Sequence, residues 1–491
     1  MNTFDRRSIL RAGLLAAGAG VLSACTASPS TANLVLPSDP RVAEAEARRH
    51  TSGQVRTVRL TARPGPVDLG GPQVSTWTYD GVLPGKEIRV RAGDTIHAEL
   101  TNRLPAETSV HWHGLALRND MDGAPGLTQQ AIGTGASFTY RFVAEQPGTY
   151  WFHPHSGTQL DRGLYVPLIV EDPHEPGGYD HDWVVVLDDW IDGTGQTPDD
   201  VLATLRQGMG SMGGMMGSPS GMGGSSPLLG GDAGDLRYPH YLINGRVPAA
   251  PATFTARPGQ RARIRIINAG SDTAFRVALG GHRLRVTHTD GYPVQPAETD
   301  TLLIAMGERY DVTTTLDDGV FPLVALAEGK NATALALVRT GAGTPPPATI
   351  RPAELDRDRV TYDRLVPADE VRLPAKSPDV THTLDLTGGM MNYDWGINGQ
   401  PLDMGRRLLV QQGQRVRFVL RNRTMMWHPI HVHGHTFQLG DSGPRKDTVA
   451  VLPGQTVTGN LDASNPGQWM IHCHNTYHAE TGMAAILGYQ T

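Results

Sequence analysis

The chain has 491 residues, a mass of 52.8 kDa and a formal net charge of −6 with its 19 His counted neutral. At roughly 100–200 residues per domain this allows about three domains, and the absence of a basic surplus argues against nucleic acid as a partner. Hydrophobic residues are 39% and charged residues 19%, too little charge for a disordered chain, and two Cys build no disulfide framework. Gly 58 and Pro 36 together make about 19% of the residues, above an average near 12%. That composition suits short strands joined by turns, so an all-β architecture is predicted over a coiled coil, a disulfide scaffold or a polytopic membrane protein.

In chain order, residues 1–25 read as an export signal: a basic start with paired Arg6-Arg7, then an Ala/Gly/Leu run from Ala12 to Leu22. The run is shorter than the ~20 residues a membrane-spanning helix needs. The Arg pair is of the twin-arginine kind, which suits export after folding. Leu22-Ser23-Ala24-Cys25 resembles a bacterial lipobox, with Cys25 as the lipidated residue and 26–50 as a polar tether. The membrane is then touched only through that lipid, the protein is extracytoplasmic, and the expected state is a monomer.

A pattern of Gly, alternating apolar residues and Asn nine positions later occurs at Gly93–Asn102, Gly259–Asn268 and Gly413–Asn422, with spacings of 166 and 154 residues. Each copy reads as a strand entered from a turn, and each follows a turn-like element: Tyr79-Asp80-Gly81, Ile243-Asn244-Gly245 and Ile397-Asn398-Gly399. Three tandem β domains are predicted at 51–172, 173–345 and 375–491, with a linker at 346–374 that opens in a Pro-rich stretch.

The histidines follow the same ruler. His111 and His113 lie 18 and 20 residues after Gly93, and His431 and His433 lie at those offsets from Gly413, whereas the middle repeat carries Val277 and Leu279 there. His-x-His occurs five times, where random placement gives roughly 0.7. On a strand, residues i and i+2 share a face, so the pairs His111/His113, His153/His155, His431/His433 and His472/His474 each present two imidazoles to one side. Eight imidazoles are too many for one zinc and suit a cluster of several metal ions. Cys473, between His472 and His474, must point to the opposite face, as must His428, three residues before His431. With His478 and Met483 they make a trigonal His₂Cys site with a weak axial Met, the blue-copper set.

These motifs, His111-Trp112-His113-Gly114, His153-Pro154-His155, His428-Pro429-Ile430-His431-Val432-His433-Gly434 and the run from His472 to Met483, resemble all four copper motifs of the three-domain multicopper oxidases over about residues 51–491. The resemblance implies three tandem cupredoxin-like Greek-key β-barrels and four copper ions. One is type 1, held by His428, Cys473, His478 and Met483; one is type 2, held by His111 and His431. A type 3 pair takes His113, His153 and His474 on one ion and His155, His433 and His472 on the other. The implied reaction is one-electron oxidation of a donor coupled to four-electron reduction of O2 to water. His435 has no role in the family and reads as a packing or surface histidine. Asp122, 11 residues after His111, stands where the family carries an acid behind the cluster. Where some bacterial members have an acid directly after the last type 1 His, this chain has Ala479, with Glu480 one later as a candidate proton relay.

Residues 209–222 hold five methionines, Met209, Met212, Met215, Met216 and Met222, among Gly and Ser. Thioethers prefer Cu(I). Met425 and Met426 precede His428, and Met426 matches a donor-side Met of the copper-homeostasis members, whose acid two residues earlier is Thr424 here; Met390 and Met391 are further candidates. The sequence leaves open a Cu(I) oxidase serving copper tolerance, a general phenol oxidase of the laccase type, and a copper-sequestering envelope lipoprotein. A descendant that has lost copper is disfavoured by the complete ligand set.

Overall fold

The computed structural model describes residues 33–175, 177–208 and 223–491. Cys25 and the export signal, the first part of the expected tether, and Met209, Met212, Met215, Met216 and Met222 lie outside them. Apart from a two-stranded sheet of Ser225–Ser226 and Gly231–Asp232, the strands of the described residues fall into three successive pairs of sheets. The first pair has four strands in each sheet and lies within 55–171, the second has six in each within 181–360, and the third has six and five within 380–489. Each pair closes over side chains that alternate inward, as in the strand Asp94–Asn102, where every second residue is buried. The chain is thus all-β with three cupredoxin-like domains. The first barrel has its own core around Leu100, Trp112, Tyr140 and Phe152, while the second and third share a continuous one.

The repeat has a physical cause. Its strands, Asp94–Asn102, Arg261–Asn268 and Arg415–Asn422, are each central, with one parallel and one antiparallel neighbour. Gly93, Gly259 and Gly413 enter them at φ +88°, +79° and +88°, where a Cβ would be strained. The closing Asn is buried and makes the same bonds each time. Asn102 Nδ2 donates to Ala106 O and Ile132 O, Asn268 Nδ2 to Thr273 O and Ile304 O, and Asn422 Nδ2 to Met426 O and Val451 O. Each Oδ1 accepts the amide two residues on. The preceding turns put both central residues at positive φ (Asp80-Gly81, Asn244-Gly245, Asn398-Gly399), as a two-residue hairpin loop matching the strand twist requires. Replacing Asn268 by Ala leaves buried backbone groups unpaired and should cost about 2–3 kcal/mol. Calorimetry should show one transition lowered by about 4–10 °C with unchanged copper content; an unshifted transition would mean that the Asn is dispensable.

One expectation is corrected. Described residues 33–50 of the supposed tether are docked on the body. Leu34 bridges to Gln490, Val35 N donates to Tyr489 O at 2.8 Å, and Thr491 N donates to Asn33 O at 2.8 Å. A helix then runs over Pro40–Ala47, capped by Asp39 and burying Val42. Val35 and Val42, both buried, supply the contact. Among the described residues no helix is long and apolar enough to cross a membrane.

Candidate metal centres

The strand His428–Val432 pairs antiparallel with Gln468–Cys473, placing His431 opposite His472 and Ile430 opposite Cys473. His478 is delivered by the short helix Thr476–Thr481, whose cap Asn475 accepts from Tyr477 N and His478 N. His428 Nδ1 and His478 Nδ1 lie 3.0 Å apart, each 3.7 Å from Cys473 Sγ, and all three side chains are buried. Met483 is buried beside them, and its carbonyl accepts from Cys473 N at 3.0 Å. The outer nitrogens have different partners. Thr424 Oγ1 lies 2.8 Å from His428 Nε2, and Asp235 Oδ2 lies 3.1 Å from His478 Nε2. Trp395 covers both imidazoles, with ring centroids 5.2 and 4.3 Å away. Burial holds His428 well below the ordinary histidine range. Burial also opposes charge on His478, but Asp235 and Cys473 outweigh it and raise it to about 10.

The eight remaining imidazoles meet between the first and third barrels. The strand His111–His113 pairs with Gly148–His153, putting His111 opposite His153. His111 Nε2 and His431 Nε2 approach to 3.4 Å. His472 Nε2 lies 3.3 Å from His155 Nε2 and 3.1 Å from His433 Nε2. The rings of His113 and His153 lie 4.9 and 5.3 Å from that of His474. His113 Nδ1, His153 Nε2 and both His474 nitrogens are buried without any hydrogen-bond partner. The sets interlock, since nitrogens of His111, His431 and His433 also lie within 4.8 Å of one another.

On five of the rings the second nitrogen is tied down, which fixes the ring and leaves one lone pair facing its neighbours. His111 Nδ1 meets Asp122 O at 3.0 Å, His433 Nδ1 meets Asp122 Oδ2 at 2.9 Å, and His431 Nδ1 meets Asp447 O at 3.0 Å. His153 Nδ1 and His472 Nδ1 face the carbonyls of Pro154 and Cys473. Burial, then the neighbouring imidazoles, push His113, His153, His155, His433 and His474 well below their ordinary range, and burial takes His472 to about 3. Neutral, desolvated imidazoles with unpartnered nitrogens suit metal ions rather than protons, so the residues present fit copper.

Glu480 lines a narrow cavity of about 30 Å³ together with His153, His155, His472 and His474. Burial raises its carboxyl, against the pull of Arg206. His435 is buried against Tyr489, its Nε2 2.6 Å from the phenol oxygen, and packs rather than joining the cluster. Met425 is 81% exposed and Met391 64%, but Met426 is 3% exposed. Of the two methionines expected on the donor side, Met425 is thus exposed and Met426 packs in the core. A cavity of about 800 Å³ lies elsewhere, lined among others by Gln146, Tyr179, Arg263, His288 and Asp369. Sequence reading missed Asp235, Asp447 and Arg309. The one available sign was Arg445-Lys446-Asp447, a charged run leading into the apolar strand Thr448–Val451.

Family comparisons agree with this geometry. Models described as multicopper oxidase match residues 63–175, 181–343 and 375–490. The multicopper oxidase MmcO of Mycobacterium tuberculosis (strain ATCC 25618 / H37Rv) is 52% identical over 498 residues, covering 99% of this chain and 98% of the relative. The copper resistance protein A homolog of Pseudomonas syringae pv. tomato (strain ATCC BAA-871 / DC3000) is 28% identical, covering 85% and 89%. The solved multi-copper oxidase of Pseudomonas thermotolerans superposes with a TM-score of 0.69 at 28% identity, covering 89% and 100%. The chain belongs to the multicopper oxidase family: it is a copper-dependent oxidoreductase with O2 as acceptor.

Proposed function

We propose that this oxidase takes electrons from Cu(I) and serves copper tolerance at the cell envelope, exported and held there through Cys25. His428, Cys473, His478 and Met483 hold the type 1 copper. His111 and His431 hold the type 2 ion; His113, His153 and His474, and His155, His433 and His472, hold the type 3 pair. The nitrogen approaches support the type 2 pair and the His155, His433 and His472 set, and the ring contacts of His113 and His153 with His474 support the other. Bound copper supplies one-electron transfer from the donor and four-electron reduction of O2. The chain joins the two sites through Cys473, whose sequence neighbours His472 and His474 belong to the cluster, a path on the order of 10 Å. Asp122 orients His111 and His433, and Glu480 holds a proton at the mouth of the cavity beside the cluster.

The observation that favours Cu(I) is where the described residues on either side of 209–222 lie. A Cβ on Gly208 would collide with Met391 O, and one on Gly223 with Gly234 O, next to Asp235. Gly208 and Gly223, which bracket the five-methionine segment in the sequence, thus lie beside exposed Met391 and beside the 234–235 backbone, whose Asp235 meets His478. Soft thioethers favour Cu(I), whereas a phenol gains nothing from them. Oxygen uptake by the copper-loaded protein should be compared with Cu(I), Fe(II) and a phenol. Deleting 209–222 should slow the Cu(I) reaction several-fold and leave the phenol rate unchanged. Equal slowing of both donors, or of neither, would remove the support for Cu(I).

A further inference from the structure

The middle domain gives no imidazole to the cluster, yet it presses on it. A Cβ on Gly307 would lie 2.9 Å from His474 Cδ2 and 3.0 Å from His113 Cε1. Two residues on, Arg309 is wholly buried and grips Asp447 of the third domain with a two-pronged fork, Nη1 to Oδ1 and Nη2 to Oδ2, both at 2.7 Å. Its Nε donates to Thr149 O of the first domain at 3.0 Å. Asp290 completes the joint: Oδ1 accepts from Arg309 N at 2.9 Å, and Oδ2 accepts from Asp447 N and Thr448 N, each at 3.2 Å. Lys446 Nζ lies 3.1 Å from Asp290 Oδ2 and 3.2 Å from Glu308 Oε1.

With its orientation set, Asp447 Oδ1 stands 3.1 Å from His113 Nε2 and 3.3 Å from His431 Nδ1. A carboxylate at His113 Nε2 calls for the proton on that nitrogen and leaves Nδ1, buried and without a partner, as the bare donor. The pair also accounts for the glycine of His111-Trp112-His113-Gly114. Gly114 has φ +86°, and a Cβ there would strike Arg309 Nη2 and lie 2.7 Å from Asp447 Oδ2.

We infer that Arg309 is a positioning residue of the copper cluster. Acting through Asp447, it fixes the tautomer and tilt of His113 from the first domain and His431 from the third, which makes the copper-free middle domain part of the metal site. This rests on the assignment of His113 and His431 as ligands. The fork geometry matters, because an ammonium in the same place is a point charge that cannot engage both carboxylate oxygens in one plane. Losing such a partner behind a metal ligand typically weakens metal binding about 10–100-fold.

The test uses the full chain with Arg309→Lys, Asp447→Asn and the double variant. Copper bound per chain is titrated against a competing chelator, the electron paramagnetic resonance of type 2 copper is recorded, and the visible thiolate band reports the type 1 site. Arg309→Lys should lower cluster affinity about 10–100-fold and alter the type 2 resonance while leaving the visible band intact. Because Arg309 works through Asp447, the double variant should bind no more weakly than Asp447→Asn alone. Wild-type affinity and resonance in Arg309→Lys, losses that multiply in the double variant, or a visible band that fades in step with the cluster would each overturn the inference. Full copper loading in both His113→Ala and His431→Ala would instead sink the ligand assignment.

Discussion

Replacing Cys473 by Ser is expected to abolish the intense visible absorption of the copper-loaded protein and its oxidase activity together. The colour comes from charge transfer out of a thiolate, and a serine hydroxyl offers Cu(II) no comparable soft donor. Cys473 Sγ lies 3.7 Å from both His428 Nδ1 and His478 Nδ1. The backbone should be unaffected, because Cys473 N still donates to Met483 O and the strand keeps its register against His428–Val432. His472 and His474 then stay in place, and copper content should fall by about one ion per chain rather than to zero. Absorption spectra, metal analysis and oxygen uptake on one preparation decide the matter; a variant that remains blue excludes this assignment.

Replacing His111 or His431 by Ala is expected to have the converse effect. Their Nε2 atoms, 3.4 Å apart, face each other across the interface of the first and third domains, and neither touches Cys473. Removing either should eliminate type 2 copper and stop oxygen consumption, while the blue centre still accepts one electron. Mixed with a reductant, such a variant should bleach once and stay colourless in air, where the unaltered enzyme regains its colour. Loss of the blue band with oxygen uptake intact would show that the two sites are reversed.

Much of this was legible in the sequence because local rules fix it. A period of two sorts side chains between the faces of a strand, so Cys473 parts from His472 and His474 without any knowledge of the fold. The repeated Gly and Asn mark a left-handed entry and a side chain that closes a turn, and both needs recur with every copy. What escaped depends on partners far apart in the chain. Asp235 and Arg309 lie in the middle domain, Asp447 reaches His113 of the first domain from the third, and none sits in a motif with a fixed offset. The docked segment 33–50 was missed because its contact rests on two isolated buried residues, Val35 and Val42, and on backbone bonds to residues 489–491.

The separation of the ligands along the chain also dictates when metal can enter. His111 and His431 are 320 residues apart, while the type 1 set lies wholly between His428 and Met483. At ribosomal rates of about 5–20 residues per second, His111 waits roughly 15–65 s for the partner that completes its site. The cluster is therefore complete only after the third domain has been made and has docked against the first.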